Sequence, residues 1–261
     1  MHARFPVSVL LLLLVCPLIP LPGSESGEPP DAGQLVEEAF AYYRDDASVA
    51  RVEMTIHRPD WERVQVLDVW TAGEEESLFT IVEPPRDRGN GTLKKGDAMW
   101  TFNPKVNRII KLPPSMMSQS WMGSDFSNND LAKADALVEE YEHTLLGQEE
   151  KDGHTVYIVE SRPLPGAPVV WGKEILKIRD DLVFLEEAFY DEEGELVKTL
   201  HFEEIEMISG KLYPRVLTMR PADKPGQYTK VRYLELDFRE NLPDRFFTRS
   251  ALRNPPEPDF E

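Results

Sequence analysis

The amino-acid sequence predicts a mainly β (α+β) fold, about eleven antiparallel strands in one strongly curled sheet, with a helix before it and a helical insertion part-way along. Three observations carry this prediction. Apolar residues alternate at period two through most of the chain. Short turn signals separate the alternating segments by hairpin lengths, which suits a meander and leaves no room for crossover helices. No linker or internal repeat divides the chain, so residues 27–261 read as a single domain.

The first residues read differently. “MHARFPVSVLLLLLVCPLIPLPGSES” has a basic start at Arg4, an apolar run from Phe5 to Leu21 and then small polar residues, the layout of a cleavable secretory signal over 1–26. As a membrane anchor the run is at the lower limit of length, is broken by Pro17 and Pro20, and lacks a basic stop-transfer flank. Such a signal predicts that the rest of the chain is exported. Cys16 lies inside that segment and does not fit a lipid-attachment cysteine, because Val15 precedes it and Pro17 follows. The expected mature domain has no cysteine, hence no disulfide, thiol nucleophile or thiolate metal site.

Ser24 to Pro30 reads as a flexible leader. “DAGQLVEEAFAYYR” then puts Leu35, Val36, Ala39, Phe40 and Tyr43 on one helical stripe. In “VARVEMTIH” the period changes, with Ala50, Val52, Met54 and Ile56 facing one way and Arg51, Glu53 and Thr55 the other. Further strands read near 62–71, 76–83, 97–103, 107–112, 143–150, 154–162, 172–180, 182–190, 195–206, 212–220 and 228–238. “KDGH”, “DEEG” and “SGK” supply tight turns between them. So many strands exceed what one flat sheet carries, which is why the sheet should curl. “NNDLAKADALVEEYE” supplies a second helix, capped by Ser127 or Asn128.

The net charge of −18 repels phosphate backbones and anionic head groups, which argues against nucleic acid as a partner and against adsorption to an anionic bilayer. His57, His143, His154 and His201 are scattered without metal-ligand spacing, so neither a metal nor a cofactor is expected. No GxSxG, HExxH, P-loop or dinucleotide glycine motif occurs. Carboxylates are abundant, and a hydrolase reading would need two of them paired in a cleft. The sequence alone locates no such pair, and no catalytic residue is assigned.

One stretch fits none of the regular patterns. “PPSMMSQSWMGSDFSNND” (113–130) scatters methionines and aromatics among small polar residues at neither helical nor strand period. Together with the residues before and after it, “DAMWTFNPKVNRIIKLPPSMMSQSWMGSDFSNNDLAKAD” (97–135) resembles the bacterial outer-membrane lipoprotein-sorting family, the LolA-like periplasmic carriers. The matching residues are Trp100, Phe102, Pro104 and Arg108, then Ser120, Trp121, Met122, Gly123, Ser124, Asp125, Phe126, Asp130 and Leu131. The resemblance covers essentially the whole chain after the signal segment. It implies an open half-barrel round a helical plug, an apolar cavity for lipid or lipoprotein acyl chains, and transport without catalysis. It also implies a membrane partner, for which an RND-type exporter is one candidate.

On that reading Trp100, Phe102, Met116, Met117, Trp121, Met122 and Phe126 are the cavity or lid residues. Methionine suits such a place because its unbranched side chain repacks against varied shapes. The bland reading of the same residues is an ordinary core. Lys94, Lys95, Arg108 and Lys111 form a basic group in an acidic chain, with Lys94, Arg108 and Lys111 as head-group candidates and solvated strand-edge charges as the alternative. The rival function is a cargo-free accessory subunit that docks onto the exporter.

Overall fold

The computed structural model describes residues 29–133 and 136–260. The signal segment expected at 1–26, with Cys16, lies outside the described residues. Helix α1 (Ala32–Arg44) starts where the Asp31 carboxylate accepts a hydrogen bond from the Gln34 amide at 2.9 Å. It buries the expected stripe, Leu35, Val36, Ala39 and Phe40, with Ala32. None of the described helices is long and apolar enough to cross a membrane.

Thirteen strands follow, in one antiparallel sheet. They are β1 (Ala47–Arg58), β2 (Trp61–Ala72), β3 (Glu76–Glu83), β4 (Gly91–Lys95), β5 (Ala98–Asn103), β6 (Arg108–Lys111), β7 (Tyr141–Lys151), β8 (His154–Pro163), β9 (Lys173–Arg179), β10 (Phe184–Tyr190), β11 (Leu196–Ile208), β12 (Lys211–Pro221) and β13 (Tyr228–Arg239). The strand with no counterpart in the sequence reading is β4. Its first four residues are all buried, Lys94 included, so “GTLKK” shows no alternation.

The sheet order is β6-β5-β4-β3-β2-β1-β13-β12-β11-β10-β9-β8-β7. The chain therefore starts in the middle of the sheet, runs outward to β6, crosses to the opposite edge at β7 and returns until β13 pairs with β1. The two unpaired edges belong to consecutive strands. Residues 112–140 must span the gap between them, and this is the stretch the sequence singled out. It contains the short helices α2 (Asn128–Ala132) and α3 (Ala136–Glu139). Ser127 caps α2 in a capping box: its hydroxyl accepts from the Asp130 amide at 3.2 Å, and the Asp130 carboxylate accepts from the Ser127 amide at 2.7 Å.

The sheet's two faces are covered differently. On one, α1 packs against Val159, Leu176, Phe184, Phe202 and Met219 from β8 to β12. On the same side, Trp121 from the insertion joins Val52, Met54, Leu67 and Val69 of β1 and β2. On the opposite face the C-terminal α4 (Arg249–Arg253) and Phe247 cover Val49, Trp70, Leu78, Leu93 and Phe102. The double covering explains why the start of β1, residues 47–50, is buried on both sides.

Candidate functional site

The insertion is aimed into the concave side by a pinned turn. Met122 (φ 51°) and Gly123 (φ 76°) both take left-handed backbone, reversing the chain directly after Trp121. A Cβ on Gly123 would lie 2.8 Å from Nη2 of Arg63, the atom that donates to the Met122 carbonyl at 2.6 Å. Ser124 ties the turn from inside, its hydroxyl donating to the Trp121 carbonyl at 2.7 Å. Asp125 fastens it to the sheet: Arg58 of β1 donates to both carboxylate oxygens at 2.9 and 3.0 Å, and the Thr229 hydroxyl of β13 donates at 2.7 Å. The outcome is a buried Trp121 whose indole N–H donates to the Thr92 hydroxyl at 3.0 Å and whose ring meets Phe79 edge-on.

Beneath this turn lies a cavity of about 290 Å³. Its walls come from both arms of the sheet: Val69 and Phe79 of β2 and β3 on one side, Phe189 and Leu200 of β10 and β11 on the other. Phe40 of α1 and Trp121 and Phe126 of the insertion complete it, and it is mostly apolar. In the sheet order β3 and β9 are seven neighbour steps apart, which at ~4.8 Å per step would separate them by ~34 Å if the sheet were flat. Lining one hollow together requires the sheet to curl.

The irregular segment between β8 and β9 also contributes Val169, Val170 and Trp171. Val170 is 47% exposed, so an apolar side chain reaches from solvent to the cavity wall. A polar cleft of about 570 Å³ adjoins the cavity; Phe126 and Trp171 border both, and Lys198 lines the cleft. These residues form the boundary between an apolar interior and a wet mouth.

A polar cluster interrupts the apolar lining. Glu174, Glu187, Tyr141 and Asp130 all face the cavity. Burial pushes the Glu174 carboxyl up to about 7, and burial followed by the neighbouring Glu174 charge raises Glu187 well above its ordinary range. Tyr141 is raised strongly, by burial first and then by Glu174. The carboxyl pair that composition left unlocated is thus Glu174 and Glu187. The two stand on the adjacent strands β9 and β10, diagonal to each other on one face.

The residues singled out in the sequence part company here. Trp121 and Phe126 line the cavity. Met116 and Met117 lie one layer behind it, packed on Met99, Leu112 and Ala132. Met122 packs against the cluster around Trp121 but, turned by its positive φ, is not part of the lining. Trp100 and Phe102 correct the expectation: Met99 of β5 faces the insertion, so Trp100 and Phe102, one and three residues on, face α4 and Phe247 on the opposite side. The basic group does not converge on the cavity either. Lys94 is buried with its ammonium donating to the Glu74 carbonyl at 2.6 Å, Arg108 is exposed on the edge strand β6, and Lys111 lies 5.6 Å over the Trp100 ring.

Among the described residues, His154, Asp180 and Asp181 bring three metal-type donors together. Arg179 occupies that group, donating to Asp181 at 2.6 Å and lying 2.7 Å from the second ring nitrogen of His154. The sequence reading missed Tyr141, Val169 to Trp171, Glu174 and Glu187. A signal existed for Glu174, which stands in phase with the inward Leu176 and Ile178 in “KEILKIR”.

The open, curled antiparallel sheet with few helices is a LolA-like fold, as three solved structures show. A DUF1329 family protein from Desulfovibrio piger is 26% identical, with a TM-score of 0.76 over 84% of this chain and 97% of its own. A LolA superfamily protein from Nitrosomonas europaea is 28% identical, with a TM-score of 0.71 over 85% of this chain and 100% of its own. An outer membrane lipoprotein-sorting protein domain from Vibrio parahaemolyticus, 21% identical, shares the fold with a TM-score of 0.75 over 85% of this chain and 98% of its own. A family model described as “Uncharacterized protein” matches residues 73–254, and the chain belongs to that family. Comparison with curated proteins finds no match.

Proposed function

We propose that this protein is an exported, periplasmic carrier that shelters lipid or lipoprotein acyl chains in its cavity and hands them to a membrane partner, with no catalytic step. The observation that carries the reading is the aromatic-lined hollow of about 290 Å³ inside a sheet whose edges never pair. That volume is at the lower end of the ~300–1,000 Å³ typical of small-ligand sites, the scale of one aliphatic chain before any rearrangement. Each methylene buried contributes ~0.8 kcal/mol, so a dozen contribute roughly 10 kcal/mol gross, against ~1 kcal/mol for a lone hydrogen bond. Apolar fit dominates affinity on this reading, and polar groups select the head group. The names of the lipoprotein-sorting and LolA relatives fit the same role.

Native mass spectrometry and lipid extraction of the purified protein test the proposal. The expected result is a bound lipid, or uptake of a single-chain lipid added at micromolar concentration. A protein that neither carries nor takes up any lipid overturns it.

A second reading, docking onto an RND-type exporter without cargo, draws on the sheet edges. Ile110 of β6 is 52% exposed and Leu146 of β7 55% exposed, each on a strand with one edge unpaired. Exporter co-purification with no lipid uptake would favour it.

A further inference from the structure

Four polar side chains from four elements line one wall of the apolar cavity, and Lys198 of a fifth element pairs with one of them. Glu174 of β9 pairs in register with Phe189, and Glu187 of β10 with Leu176, so the two carboxyls are diagonal neighbours on one face. Tyr141, at the start of β7, lines the same wall beside Glu174. Asp130 of α2 and Lys198 of β11 form a buried ion pair, their side chains 8% and 7% exposed. The Lys198 ammonium lies 5.0 Å from the Trp171 ring and 5.3 Å from the Phe189 ring.

What the cluster lacks is as specific as what it holds. Three carboxyls face one ammonium. Glu174 is 4% exposed, and its Oε2 has no hydrogen-bond partner; the same is true of Asp130 Oδ1. Leaving a buried acceptor unpaired is costly in an apolar surrounding, where such groups ordinarily find partners. Both orphans of the cluster are acceptors on cavity-lining residues, so whatever completes them must donate; the lining's other unpartnered atom, Nε of Arg44, is a donor at the end of α1, where Nη2 donates to the Gly73 carbonyl. An ammonium group offers three N–H donors, a positive charge and no lone pair of its own. A hydroxyl offers one donor and brings lone pairs that need partners in turn. A phosphate or carboxylate brings negative charge and further acceptors to a cluster whose unpartnered atoms already accept.

Resting on the carrier reading above, we propose that the cavity takes an amphiphile bearing a protonated primary amine, its aliphatic chain among Phe40, Phe184, Phe202 and Met219 and its ammonium received by Glu174, Glu187 and Asp130. Lys198 holds Asp130 in place through the opposite carboxylate oxygen and leaves Oδ1 for the ligand.

Four probes of equal chain length test this on the purified full chain below their micelle-forming concentrations: dodecylamine, dodecyltrimethylammonium, dodecanol and dodecanoate. Binding is followed by calorimetry and by the fluorescence of Trp121 and Trp171 in the cavity wall. Dodecylamine should bind at least tenfold tighter than dodecanol and than dodecyltrimethylammonium, which keeps the charge but has no N–H, and tighter again than dodecanoate. The E174Q and E187Q variants should shrink the amine-to-alcohol ratio to about threefold. Equal binding of dodecylamine and dodecanol overturns the amine site and leaves the carrier reading standing. Equal binding of the two cations, or an amine preference that survives both substitutions, also overturns it, since the preference then reflects only the net charge of −18. Failure of all four probes to bind overturns both proposals. The comparison among probes needs no variant, so a variant that fails to fold leaves the test intact.

Discussion

Asp125 does more for the insertion than the methionines that made the segment conspicuous. Its carboxylate, with a side chain 6% exposed, takes both guanidinium nitrogens of an Arg58 that is itself 14% exposed. Truncation leaves a buried cation unpaired, which typically costs 3–5 kcal/mol. D125A should therefore lower the unfolding free energy by about 3 kcal/mol in urea titrations, whereas M116A, half-buried behind the cavity, should cost closer to 1 kcal/mol. The carboxyl pair gives a second expectation. Glu174 and Glu187 hold protons in the fold that the unfolded chain releases above the ordinary 4.5. Their contribution is thus most favourable below that value and declines as pH rises through the window from 4.5 to about 7. His143, lowered by burial, acts oppositely below its ordinary 6.5, so the native curve mixes both effects. Comparison with the E174Q/E187Q double variant isolates the pair: its stability relative to the native protein should be greater at pH 8 than at pH 5, by on the order of 2 kcal/mol. Equal differences at the two pH values would show that the carboxyls do not share the dry environment described.

At the scale of elements, what matters is how the insertion and α1 meet the sheet. Helix α1 docks through a stripe readable from spacing alone, and Leu35, 5% exposed, packs there without lining the cavity. L35A should cost about 3 kcal/mol by chemical denaturation, the range for a buried leucine, while leaving dodecanol binding intact in the folded fraction. Strand β6 behaves differently. Ile110 on its open edge contributes little to packing, so I110K should change stability by less than ~0.5 kcal/mol. If lipid uptake then falls while the fold is unchanged, the edge belongs to the transfer route; the carrier reading expects uptake to stay the same. The elements also show where period was a poor guide. The resemblance put Trp100 and Phe102 at the cavity; they do share one face of β5, but it is the face turned to α4 and Phe247, and period does not say which face is concave. A strand covered on both sides, as β4 is, shows no alternation to read.

The whole molecule owes its hollow to an order of strands that starts in the middle of the sheet. Pairing of β1 with β13 fixes the centre, and the crossing from β6 to β7 lays 112–140 over the opening. A ligand that binds only this folded arrangement stabilises it by ~2.7 kcal/mol at a hundredfold excess over Kd. A saturating single-chain lipid should accordingly raise Tm by several degrees, roughly 2–4 °C per kcal/mol for a domain of this size. An unchanged Tm under saturating lipid would contradict occupancy of the cavity. The many strands, the hairpin turns and the odd Met-Trp segment were all legible beforehand, because each is a local pattern.

Local patterns determined which residues form helix or strand, which side chains share a face, and that the chain carries a family signature from Trp100 to Leu131. Only the tertiary structure decided which face curls inward, that Trp121 and Phe126 enter the hollow while Trp100 and Phe102 turn away, and that Glu174 and Glu187 meet there. The reason is physical: periodicity is a property of neighbours along a chain, whereas a cavity is made by residues as far apart as Phe40 and Tyr233, brought together by curvature that no single strand encodes.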